Sequence, residues 1–80
     1  MSKINQALAL VVTRQRKLTN LSQEELAALA GIHRTYVSQI ERGLKSPTLQ
    51  VLFKIATALN INASEIMFEV ESHIYEIQRK

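Results

Sequence analysis

Apolar residues recur along this chain at helical spacing in five segments. Over residues 3–18, Ile4, Leu8, Val11, Val12 and Leu18 supply one apolar face, and Arg14, Arg16 and Lys17 gather near the C-terminal end, where positive charge suits the helix dipole. Thr19 and Asn20 make the turn that follows, and Asn tolerates positive φ. Residues 23–30 are strong helix formers behind a cap at Ser22, with Glu25 placed to complete a capping box. Gly31 ends that helix, being able to turn left-handed without steric cost. A third helix is predicted over 33–42 and is stopped by Gly43. Ser46 and Pro47, a polar cap and a first-turn proline, announce a fourth over 47–59, with Leu49, Leu52, Phe53, Ile55, Ala56 and Leu59 on a wide apolar face. After the turn Asn60-Ile61-Asn62, a fifth over 63–79 carries a stripe of Ile66, Met67, Val70, Ile74 and Ile77.

The second and third segments set the functional expectation. Leu26, Ala30, Ile32, Val37 and Ile40 share one core if the two helices cross steeply, and Ala27 is small where they approach. Val37 and Ile40, three apart, fix the inward face of the third helix. Its other face carries Arg34, Thr35, Ser38 and Gln39, which can hydrogen-bond but do not favour burial. This is a helix-turn-helix layout, whose second helix reads the DNA major groove. Arginine can give guanine O6 and N7 two parallel bonds, and threonine can bond a base or touch a thymine methyl. Tyr36 has three roles open: stacking on sugar-phosphate, bonding a phosphate, or capping the core. His33 can accept an N-cap bond or, protonated, meet a phosphate. Arg42 and Lys45 stand where phosphates are within reach, though Arg42 can equally close its helix.

The run SQEELA, Gly31, the run SQIERG from Ser38 to Gly43 and SPTLQVLFKIATAL resemble the lambda repressor, Cro and Xre superfamily of regulators over roughly residues 8–68. RTYVS at 34–38 followed by Ile40-Glu41-Arg42 is most similar to the controller proteins of restriction-modification systems. The resemblance implies an all-α, five-helix, lambda-repressor-like domain with a C-terminal helix extended for dimerisation. It implies base contacts by Arg34, Thr35, Ser38 and Gln39, and backbone contacts by Gln23, His33, Tyr36, Arg42 and Lys45, with Gln23 also bracing the recognition helix, against the alternative of a plain exposed first-turn residue. It gives Arg16 a structural role, pairing with an acid such as Glu41, against the alternative of a phosphate contact. It assigns Ile66, Met67, Val70, Ile74 and Ile77 to a homodimer interface, against the alternative that this last segment lies back on its own subunit or frays. The expected partner is a near-palindromic double-stranded operator, read by two recognition helices ~34 Å apart. The narrower resemblance implies activation of its own operon at low occupancy and repression at high occupancy, with Glu24 or Glu25 meeting RNA polymerase.

Composition narrows the alternatives. Eighty residues make one domain, and a hydrophobic content of 46% suffices for a core. Self-association would help so short a chain. With no cysteine, disulfides and thiolate metal sites are excluded. No apolar run approaches the ~18 residues of a membrane span, and no signal peptide is evident. The acidic residues of the last segment also argue against a membrane-surface helix. The expected location is the cytoplasm, on the nucleoid. Seven Lys/Arg and three Glu fall in residues 1–45, three Lys/Arg and four Glu after them, so the half with the recognition stretch is the basic one. His33 and His73 lie far apart, and neither HExxH nor a Gly-rich phosphate loop is present. No enzyme, metal, cofactor or small-molecule ligand is expected. The competing class is an antitoxin-like module that binds DNA and pairs with a protein through its C-terminal helix.

Overall fold

The computed structural model describes residues 2–79, with side chains as far as residue 76. Among these residues there are five α-helices and no strands: α1 Lys3–Leu18, α2 Gln23–Ala30, α3 Arg34–Glu41, α4 Leu49–Ala58 and α5 Ala63–Arg79.

One device ends the first four helices. Asn20, Gly31, Gly43 and Asn60 are left-handed, with φ of 58, 70, 73 and 60°. At each, the left-handed residue donates to the carbonyl three back, and the next residue to the carbonyl five back. The second set is Leu21 to Arg16 (3.2 Å), Ile32 to Ala27 (3.0 Å), Leu44 to Gln39 (2.9 Å) and Ile61 to Ala56 (3.0 Å). These bonds satisfy carbonyls that a helix end would orphan. They also turn the chain within two residues, so short helices can fold back on one another.

Helix starts are set by side-chain caps. Ser22 Oγ accepts from Glu25 N at 3.0 Å while Glu25 Oε1 accepts from Ser22 N at 2.9 Å. α4 begins later than Ser46 and Pro47 suggest: Thr48 is the cap, accepting from Val51 N at 3.1 Å, and Pro47 lies before it. Thr48 itself is extended, at φ −67° and ψ 161°, so its hydroxyl turns back to the first turn. His33 occupies the cap position of α3 without a side-chain bond; its carbonyl accepts from Tyr36 N (3.0 Å) and Val37 N (3.3 Å) instead.

The core gathers Leu8, Val11 and Val12 from α1, Leu26 and Ala27 from α2, Val37 and Ile40 from α3, Leu52, Ile55 and Leu59 around α4, and Ile66 and Val70 from α5. Ile32 packs half-buried against it. Four residues expected on inward faces are instead exposed: Ile4, Leu18, Leu49 and Phe53. Leu52, Ile55, Ala56 and Leu59 already fill the inward arc of α4, which turns Leu49 and Phe53 outward. α5 leaves α4 at 106° and lies along α1. That placement puts three residues of the expected dimer stripe on the subunit's own core. Ile66 is fully buried and Val70 nearly so, both within their own subunit, and Ile74 packs half-buried on the same core. Met67 remains exposed, and the side chain of Ile77 lies outside the described residues. No single helix is long and apolar enough to cross a membrane.

Candidate nucleic-acid interface

α3 has two unlike sides. Val37 and Ile40 are buried, Arg34 and Thr35 are exposed, and Ser38 and Gln39 are half-buried on the outward edge. Residues three and four apart are neighbours on a helix, so Arg34–Ser38, Thr35–Ser38 and Thr35–Gln39 form one continuous patch of donors and acceptors. Among the described residues no carboxylate lies within 4.0 Å of Arg34, so its guanidinium stays available to a ligand.

Behind this face sits a polar lock. Glu41, the last residue of α3, accepts from Arg16 Nε at 2.7 Å and from Arg16 Nη2 at 3.0 Å. Its Oε1 also accepts from Gln23 Nε2 at 3.0 Å, and Arg16 Nη1 donates to the Leu21 carbonyl at 2.8 Å. The two ionised side chains are only 13% and 5% exposed. A bidentate pair has fixed geometry as well as strength, so the end of α1, the turn after it, the start of α2 and the end of α3 are held in one register. The hydrogen bond to Glu41, helped by its charge and opposed by burial, raises the Arg16 pKa above its ordinary value. Arg16 therefore stays charged throughout the physiological range.

The lock also takes in Gln23. Its side chain is half-buried and spends one amide N–H on Glu41. It braces the recognition helix first; the second N–H of that amide is what remains for a phosphate. Tyr36 is half-buried against the core, with the Lys45 ammonium 5.3 Å from its ring centroid. That is a cation–π distance, and it folds the loop after Gly43 back over α3. Arg42 caps α3 through its backbone N–H, leaving an exposed guanidinium. His33 is exposed at the other end of the helix.

A second surface was missed by the periodicity. Leu49 (70% exposed), Phe53 (56%), Met67 (37%) and Phe68 (71%) surround one groove of about 520 Å³ between α4 and α5. The signal that could have found it is surplus: α4 carries more large apolar residues than one inward arc can hold, and Phe68 lies off the α5 stripe. Elsewhere, no three His, Asp or Glu among the described residues converge as metal ligands.

Comparison with known proteins agrees with this geometry. Residues 12–66 match the family model described as helix-turn-helix. The control protein C.SmaI of Serratia marcescens is 41% identical over 64 residues, which is 80% of this chain and 76% of that one. Among solved structures, the restriction-modification controller protein C.AhdI of Aeromonas hydrophila is 37% identical, with a TM-score of 0.76 over 78% of this chain and 94% of that one. The controller protein C.Esp1396I, solved as a tetramer in complex with its natural 35 base-pair operator, is 25% identical, with a TM-score of 0.84 over 94% of this chain and 99% of that one.

Proposed function

The chain belongs to the helix-turn-helix family, and on that premise we propose that it is a sequence-specific regulator of transcription that binds a near-palindromic DNA operator as a homodimer. The observation that carries the reading is the exposed, unpaired Arg34–Thr35 end of α3, backed by the Arg16–Glu41–Gln23 lock. A helix that reads bases needs both features, because a bidentate arginine discriminates only if its backbone is held in register. In this reading Arg34, Thr35, Ser38 and Gln39 meet base edges. Gln23, His33, Tyr36, Arg42 and Lys45 meet the phosphate backbone and supply the salt-dependent part of the affinity.

The homodimer forms through the α4–α5 groove, with Leu49, Phe53, Met67 and Phe68 as its apolar centre. This reading keeps Met67 of the α5 stripe and leaves out Ile66 and Val70, which are spent on the subunit's own core. The similarity to C.SmaI and C.AhdI supports the finer reading of a restriction-modification controller that regulates its own operon in the cytoplasm, with Glu24 or Glu25 offered to RNA polymerase.

The test is Arg34→Ala against DNA upstream of the chain's own gene. A lost bidentate base contact costs about 1–3 kcal/mol at one operator position. Affinity for random DNA should change far less. Equal losses on operator and random DNA would assign Arg34 to the backbone and remove the base-reading role.

A further inference from the structure

A second apolar groove, of about 880 Å³, lies between the outer face of α1 and the end of α3. Its floor includes Ala9, Leu10 and Leu18, and Leu10 and Leu18 are 54% and 65% exposed. Four charged residues line it. Three are the cations Arg14, Lys17 and Arg42, all exposed. The fourth, Glu41, is sealed by Arg16 and Gln23 and is 5% exposed, so it presents almost no charge to the groove. Arg14 is paired with Glu69 at 2.8 Å, whereas Lys17 and Arg42 have no carboxylate partner within 4.0 Å among the described residues.

We infer that this groove is a docking site for an acidic amphipathic helix of another protein. The apolar floor and the cationic rim select that chemistry together. A nucleic-acid backbone would satisfy Lys17 and Arg42 but leave two leucines in water, and a plain apolar helix would leave Lys17 and Arg42 unmatched. Leu10 and Leu18 are eight residues apart on one helix, about 12 Å. Apolar residues seven apart on a docked helix, about 10.5 Å, match them. The chain's own acidic helix does not supply this row: Phe68 of α5 belongs to the α4–α5 groove, which leaves Tyr75 as its one other strongly exposed apolar side chain among the described residues. The groove shares Arg42 with the proposed phosphate contacts and shares no lining residue with the α4–α5 groove.

The probe is a labelled 18-residue helical peptide with leucines at i, i+4, i+7 and i+11 and glutamates on the flanks, titrated with the full chain by fluorescence anisotropy. Wild type binds it, more weakly as salt is raised. Leu10→Ser/Leu18→Ser weakens binding about tenfold, with operator affinity unchanged and the thermal midpoint lowered by only a few degrees. Lys17→Glu, at an exposed position, weakens it about threefold, and the same peptide with lysines for glutamates binds at least about tenfold less well. No binding by wild type, equal binding by the leucine variant, or equal binding of the basic peptide overturns the proposal. So does a change of oligomeric state in Leu10→Ser/Leu18→Ser on sedimentation, which would give the groove to a second copy of the chain.

Discussion

The two ends of this domain are held together by different physics. Around the reading helix, the tie between elements is directional: Glu41 takes three hydrogen bonds from Arg16 and Gln23, and the geometry of each is fixed. Around α4 and α5, the tie is apolar packing of Leu52, Ile55, Leu59 and Ile66, with a surplus of Leu49, Phe53 and Phe68 left facing outward. A surface that distinguishes bases must be placed to a fraction of an ångström, and directional bonds do that. A surface that covers a second subunit needs area and shape more than exact registration of single atoms, and burial supplies those.

The largest effect that would break this contrast comes from opening the lock. Glu41→Ala leaves the Arg16 guanidinium shielded from water without its anion, and Gln23 without an acceptor. Removing one partner of a fully buried pair costs roughly 3–5 kcal/mol; with Arg16 13% exposed the expected loss is about 2–3 kcal/mol, read as a lower urea midpoint at constant slope. Replacing both partners with apolar residues, Arg16→Met with Glu41→Leu, should restore much of the stability. It should not restore operator affinity, because burial cannot hold α3 in register as the fork does. If the apolar pair binds operator like wild type, the lock is a stability device only.

Next in size is the apolar end. Phe53→Glu puts a charge in the middle of the α4–α5 groove. Phe53 is 56% exposed, so the monomer should fold with a loss of no more than about 0.5 kcal/mol. Dimerisation should fall by at least about a hundredfold, since an unpaired charge at an apolar interface must be desolvated. Sedimentation of the wild type and the variant checks this, and operator affinity should fall with it. Ile66→Ala sharpens the comparison, because that side chain is fully buried. It should unfold the chain by about 2–5 kcal/mol, whereas a true interface residue would change association and spare the fold.

That pair of variants also marks where sequence stops being informative. The polar face of α3 was readable because Val37 and Ile40 set its phase locally. Gly31, Gly43 and Asn20 were readable as helix ends because a left-handed turn is decided by one residue and its neighbours. The stripe on α5 left two readings open: Ile66 and Val70 look the same whether α1 of the same subunit or a second subunit covers them. Leu49 and Phe53 were not readable, because an apolar arc wider than its core gives no hint of which edge is left over. The Arg16–Glu41 pair and the bracing of the recognition helix by Gln23 came with family resemblance; that the brace runs through Glu41, 18 positions from Gln23, came with neither pattern nor resemblance. The start of α4 was misplaced by two adjacent cap signals, Ser46-Pro47 and Thr48, between which only the backbone decides.

The smallest effect tests the turn on which both ends depend. At Gly31 nothing lies within 4 Å of where a Cβ would stand, so a side chain there meets no clash. The whole cost of Gly31→Ala is then the left-handed backbone at φ 70°, about 1 kcal/mol. Gly31→Asn should cost less, because asparagine already occupies the equivalent left-handed positions at Asn20 and Asn60. Urea denaturation of the three proteins should therefore rank them Gly, Asn, Ala, with operator affinity unchanged once all are folded. A reversed order would mean that space at the turn, rather than backbone handedness, is what selects glycine between the two helices.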